Sequence, residues 1–189
     1  MMSEHRFIVA ADTSGSMAEG GRIILLRHLC RYILQRRAFG GALAEYEIRI
    51  VSWGREVRAV EPAEDGGVPL PEPCGRCSGA SLTAWLQGEA GGPAAESRLL
   101  ILTDDDGGEA GDVAEAARMR GIPAACVYVG AECDAREHLH GSRWEFHAEH
   151  IGAAVQALLE AGAGRAEGLP ATVAELGECI IGDSHGDDW

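Results

Sequence analysis

Phe7-Ile8-Val9-Ala10-Ala11-Asp12-Thr13-Ser14-Gly15-Ser16 is the stretch from which the fold of this chain is read. Its first five residues are apolar and the sixth is an aspartate. An unbroken apolar run of that length predicts a strand covered on both faces, as in a parallel sheet with helices on either side. Leu99-Leu100-Ile101-Leu102-Thr103-Asp104 repeats the pattern and again ends on an aspartate. Between the two runs, Ile23, Leu26, Cys30, Ile33 and Leu34 recur at helical spacing, which predicts a long helix from Gly21 to about Phe39. Tyr46 to Trp53 reads as a strand, and Gly54 leads into a shorter one, Val57 to Val60, so the pair suggests a hairpin. Leu82, Trp85 and Leu86 begin a short helix. After the second apolar run, Asp112 and Glu115 form a capping-box-like start to a third helix, which Gly121 stops. Ile122 to Val129 is a further strand, Trp144 to His147 an edge candidate, and Ile151, Val155, Leu158 and Leu159 define a last amphipathic helix.

Strands alternating with helices predict a doubly wound, Rossmann-like α/β fold: a mostly parallel sheet with one antiparallel edge strand and helices on both faces. Ligands of such sheets bind outside the carboxyl ends of the strands, where Asp12 and Asp104 both fall. Asp12-Thr13-Ser14-Gly15-Ser16 is a D-x-S-x-S run that places one carboxylate and two hydroxyls on a tight loop into the first helix. Oxygen donors so grouped suit a hard cation such as Mg²⁺, which takes about six oxygens at about 2 Å and keeps waters readily. Because the serines are neutral, the ion stays incompletely neutralised, and an acidic group from a partner completes its shell. The other reading of this loop is a turn that caps the first helix.

With these residues the sequence resembles the von Willebrand factor A domain family and its metal-ion-dependent adhesion site. Asp12, Ser14 and Ser16 match the first-loop motif, Asp104 matches the aspartate of the third loop, and the element order agrees from about His5 to Ala161. The resemblance implies a domain over residues 1–162, with 163–189 as a C-terminal tail. In that tail Val173, Leu176 and Ile180 recur at helical spacing before an acidic end from Asp183 to Trp189. The family's second loop supplies a threonine. Here the corresponding run is Ser78-Gly79-Ala80-Ser81-Leu82-Thr83, with Ala80 in the threonine's place, so either Ser81 or Thr83 substitutes or the position is empty. Ser81 is favoured because it sits at the expected helix N-cap. Asp105 and Asp106 follow Asp104 where the family often has glycine, adding negative charge near the ion. The resemblance implies a metal site of Asp12, Ser14, Ser16, Ser81 and Asp104 holding Mg²⁺ or Mn²⁺. It also implies a non-enzymatic adaptor for a protein partner, such as a MoxR-type AAA+ ATPase or a component of a tellurium-resistance-type stress cluster.

Composition narrows the classes of function. The chain has 189 residues, 46% hydrophobic and 24% charged, in keeping with one folded domain. Against 16 Lys+Arg stand 30 Asp+Glu, a formal net charge of -14 that repels phosphate backbones and anionic headgroups, so neither nucleic acid nor membrane is an expected partner. No apolar run approaches the roughly 20 residues of a membrane helix. Phe7 to Ala11 is too short for a secretory segment, which makes the cytoplasm the expected compartment.

Six cysteines without an export signal read as thiols or a metal site rather than a disulfide framework. Cys74-Gly75-Arg76-Cys77 is a C-x-x-C in a proline-rich loop, Glu61 to Gly79. Plain loop thiols are the first reading. A Zn²⁺ site is the second, needing two further ligands from Cys133, His138, His140 or His147. His138, His140, His147 and His150 otherwise read as surface residues, as do Arg27 and Arg31 on the first helix. Two rival functions stand beside the adaptor. One is a Mg²⁺-dependent phosphatase-like hydrolase with Asp12 as nucleophile, although Ser14 occupies the place of its second aspartate. The other is a scaffold that kept the fold and lost the ion, with the tail or the Cys74 to Cys77 loop as contact surface.

Overall fold

Alternation along the first strand builds two cores at once. In a computed structural model, which describes residues 5–89, 96–105, 108–130 and 144–161, β1 (His5–Asp12) turns Phe7, Val9 and Ala11 to one face of the sheet and Ile8 and Ala10 to the other. The first set packs with Leu26, Leu29, Cys30 and Ile33 of α1 (Arg22–Ala38), and with Ile151, Val155 and Leu158 of α4 (Ile151–Glu160). The second packs with Leu82 and Leu86 of α2 (Gly79–Glu89), and with Val113, Ala114 and Ala117 of α3 (Glu109–Met119). A strand with apolar residues at every position is therefore one that must satisfy two layers of helices.

The remaining strands are β2 (Tyr46–Trp53), β3 (Val57–Val60), β4 (Ser97–Thr103), β5 (Ala124–Tyr128) and β6 (Glu145–His147). They form one six-stranded sheet in the order β3-β2-β1-β4-β5-β6. All neighbours are parallel except β2 and β3, so the antiparallel hairpin lies at one edge, as the sequence predicts. Arg98 is buried within β4. Its Nε donates to the Leu158 carbonyl at 2.8 Å, tying the central sheet to the end of α4.

Element limits follow local chemistry. Gly121 at φ +79° ends α3, a left-handed position that glycine takes without the Cβ penalty. That helix starts earlier than Asp112 and Glu115 suggest: it opens at Glu109, and its second residue, Ala110, gives its N–H to the Asp105 carboxylate at 3.3 Å. The cap is thus supplied from the strand-end loop, where sequence periodicity carries no signal. Among the described residues no helix is long and apolar enough to cross a membrane. The tail 163–189, Asp106, Cys133, His138 and His140 lie outside the described residues.

Candidate functional site

Parallel pairing of β1 with β4 sets the site. Ala11 lies opposite Leu102, so Asp12 and the Thr103-Asp104 pair leave the sheet side by side at the carboxyl rim. The helix after β1 packs on one face and the helix after β4 on the other, which makes this rim the switch point where doubly wound sheets open a crevice.

Asp12 is 0% exposed. Its Oδ1 accepts the Ser14 N–H at 2.7 Å and its Oδ2 accepts the Thr103 hydroxyl at 2.6 Å. Burial pushes its carboxyl pKa up, the hydrogen bonds from Thr103 and Ser14 pull it down, and the charge of Asp104 raises it again, with a net upward shift. The Ser14 and Ser16 hydroxyls lie 3.1 Å apart, and Ser16 donates to Asp104 Oδ1 at 2.9 Å. Four of the sequence-predicted residues, Asp12, Ser14, Ser16 and Asp104, therefore line one cavity of about 670 Å³. Asp105 and Glu109 add two more carboxylates to its wall, against the guanidinium groups of Arg22 and Arg76.

Ser81 is not brought to this cluster. Its hydroxyl donates to the Arg55 carbonyl at 2.8 Å, and it does not line the cavity. The expected N-cap position also shifts. α2 begins at Gly79, and Ser78 Oγ accepts the Ser81 N–H at 3.3 Å, so Ser78 is the capping residue and Ser81 is the third residue of the helix.

The C-x-x-C loop stands against the D-x-S-x-S loop through main-chain bonds. Gly15 N–H donates to the Gly75 carbonyl at 2.9 Å and Cys74 N–H to the Thr13 carbonyl at 3.0 Å. A Cβ on Gly15 would come within 3.3 Å of the Gly75 oxygen, and Gly75 itself sits at φ +67°, so both glycines serve this approach. Trp53, fully buried at the end of β2, completes the rim: its carbonyl accepts the Thr13 N–H at 2.8 Å and its Nε1 donates to the Ser78 carbonyl at 2.8 Å.

Cys77 lines the cavity, with its thiol pKa pushed up to about 12 by burial and by the negative charges of Asp12, Glu109 and Asp105. Those surroundings oppose the thiolate that a zinc ligand must become. Among the described residues no three His, Cys, Asp or Glu side chains are grouped so as to hold a metal.

Three residues of the site escape sequence reasoning. Thr103 reads as the last apolar-run position of a strand, yet it is the hydroxyl that holds Asp12. Arg22 opens α1 and donates to Asp104 Oδ2 at 2.8 Å, a long-range contact with no local signature. Glu109 lies before the helix start that Asp112 and Glu115 suggest and carries no sequence signal of its own, yet its carboxylate accepts the Gly79 N–H and so joins the starts of α2 and α3.

No protein-family model matches the chain, and no curated protein matches it. Among solved structures it is similar to proximal thread matrix protein 1 from the mussel byssus, in a structure with a zinc-occupied MIDAS motif. That match has 14% identity and a TM-score of 0.54, covering 82% of this chain and 46% of that one. A second crystal form of the same protein matches at 10% identity and a TM-score of 0.51, covering 82% and 45%. The chain thus spans less than half the length of the solved protein it matches. At these identities the likeness is one of fold, and the fold is von Willebrand factor A-like.

Proposed function

We propose that this protein is a non-enzymatic binding module of von Willebrand factor A type, which docks a partner's acidic group through a divalent cation held at the β1/β4 rim. The observation that carries this reading is the convergence of the Ser14 and Ser16 hydroxyls, 3.1 Å apart, on the Asp104 carboxylate, 2.9 Å from Ser16, above the buried Asp12. The donor set fits a hard cation. Hydroxyl and carboxylate oxygens face one cavity, and its four carboxylates outnumber its two guanidinium groups. Ser14, Ser16 and Asp104 would hold the ion, with Asp12 behind them orienting the loop through the Ser14 N–H. The bound ion supplies an incompletely neutralised positive charge for an incoming carboxylate. The solved relative holds zinc at its own motif; here the oxygen donors favour Mg²⁺ or Mn²⁺.

Asp12 is fully buried with both carboxylate oxygens hydrogen-bonded, which suits a structural anion better than an attacking nucleophile and favours the adaptor over a phosphatase-like hydrolase. The partner is a protein, an AAA+ ATPase or a stress-response component, in a cytoplasmic setting. Isothermal titration of Mn²⁺ into the protein and into Asp12→Ala and Ser14→Ala variants tests the site. Saturable heats in the parent and loss in both variants are expected, and equal heats in all three remove the site. A pull-down from the native cell with and without chelator then tests whether partner capture depends on the ion.

A further inference from the structure

We propose that Arg22 is the resident cation of this site, so that a divalent ion enters by exchange with its guanidinium group rather than into an open acidic pocket. The inference rests on the cation-binding reading above and adds what that reading lacks: the group the ion must displace.

Arg22 is the first residue of α1, directly after the 3-10 segment Gly15–Gly21 that Ser14 precedes and Ser16 belongs to. Its Nη1 donates to Asp104 Oδ2 at 2.8 Å and to the Ser16 carbonyl at 3.2 Å, while the Ser16 hydroxyl occupies Asp104 Oδ1. Both oxygens of the third-loop carboxylate are therefore engaged, one of them by a cation. This is no loose surface pair, because the Arg22 and Asp104 side chains are only 17% and 5% exposed. Glu19 lies at 4.0 Å from the same Nη1.

The main chain near Gly130 leaves the guanidinium the room it occupies. Gly130, after β5, sits at φ +140°, and a Cβ there would approach Arg22 Nε to 3.0 Å and Cζ to 3.7 Å. Bare main chain from a third rim segment is what leaves room for the arginine. Two consequences follow from its chemistry. A dication brought beside it is repelled, so tight ion binding requires the guanidinium to leave Asp104. The released side chain, still at the mouth of the cavity, then offers a second positive group to an arriving carboxylate.

The test is Mn²⁺ binding, followed by calorimetry and by the electron paramagnetic resonance of free Mn²⁺, on the full chain and on three variants. Arg22→Gln removes the competing charge, and Arg22→Lys keeps the charge on a shorter stem that lacks the guanidinium fork. Arg36→Gln makes the same net-charge change about 20 Å further along the helix, beyond the roughly 10 Å screening length at 0.1 M salt. Arg22→Gln is expected to tighten binding at least tenfold, about 1.4 kcal/mol. Arg22→Lys is expected to tighten it at least threefold and Arg36→Gln to leave it within twofold.

Binding by the parent with no gain in either Arg22 variant overturns this proposal and leaves the cation site standing. So does an equal gain in Arg36→Gln, which would make the effect one of net charge. If Arg22→Gln does not fold, the Arg22→Lys result decides on its own. Failure of the parent and of both Arg22 variants to bind Mn²⁺ overturns the cation-binding reading itself, and the exchange with it.

Discussion

Replacing Thr103 by Val removes a single hydroxyl from the centre of the site and keeps the side chain's shape. Thr103 and Asp12 are both 0% exposed, and the bond between them is 2.6 Å long, in the range of charge-assisted O–H···O⁻ bonds. A hydrogen bond to a charged group is worth about 1.5–3 kcal/mol, and here its loss strands a buried carboxylate oxygen. Thr103 Oγ1 also accepts the Asp105 N–H at 3.0 Å, whose loss adds about 1 kcal/mol. The expected destabilisation at pH 7 in the presence of chelator is therefore about 3 kcal/mol, or roughly 6–12 °C in Tm for a chain of this size.

The pH dependence of that loss follows from the raised pKa of Asp12. Its folded pKa lies above the ordinary 3.8, so the fold binds this proton more readily than the unfolded chain does. The corresponding stability is fully present below pH 3.8 and is lost as pH rises through the folded pKa. The Thr103 bond is one of the influences that hold this pKa down, so the Val variant raises it further and extends the window upward. The penalty of the substitution is then largest at pH 7 and shrinks toward pH 4. Urea unfolding of both proteins at the two pH values, followed by tryptophan fluorescence, measures it. A loss below about 1 kcal/mol at pH 7 would refute the assignment of Thr103 as the support of a buried anion, as would an equal loss at both pH values.

Three further outcomes are expected. Gly75→Ala places a Cβ at φ +67° and is expected to cost about 1–2 kcal/mol, read as a lower urea midpoint at unchanged slope. Trp53→Phe removes the Nε1 bond to the Ser78 carbonyl and part of a fully buried ring, for an expected loss of about 2–3 kcal/mol; an unchanged thermal midpoint would show that the rim does not depend on it. Under alkylation of the native protein, exposed Cys74 is expected to react first among the four cysteines of the described residues. Cys77 follows slowly, and buried Cys30 and Cys126 stay protected, since all three have thiol pKa values pushed up to about 12; peptide mass mapping gives the order.

What the sequence reveals and what it hides have a common physical origin. The strands at Tyr46–Trp53 and Val57–Val60 fall where alternation and a glycine turn place them, because burial patterns are written residue by residue. Asp12, Ser14 and Ser16 are equally legible, since one tight loop carries all three. Asp104 is legible because a buried strand delivers it to the same rim. Contacts between distant segments are not written locally. Nothing in Gly21-Arg22-Ile23 announces a partner 82 residues away, and nothing in Ser78-Gly79-Ala80-Ser81 distinguishes the capping serine from the one that turns to Arg55. The start of α3 is hidden for the same reason, as its N–H is met by Asp105 from the preceding loop.

Main-chain atoms hold the three rim loops to one another: Thr13 to Trp53, Cys74 to Thr13, Gly15 to Gly75, and Ser78 to Gly54. Apart from Trp53, whose Nε1 holds the Ser78 carbonyl, and Ser78, whose hydroxyl caps α2, a frame of that kind is indifferent to which side chains project from it, provided the glycines remain. The exterior of the 74–76 segment can therefore drift through substitution, or be redesigned, while the two aspartates beneath it hold their spacing. A lineage built on such a frame can change what it recognises without rebuilding the means by which it grips.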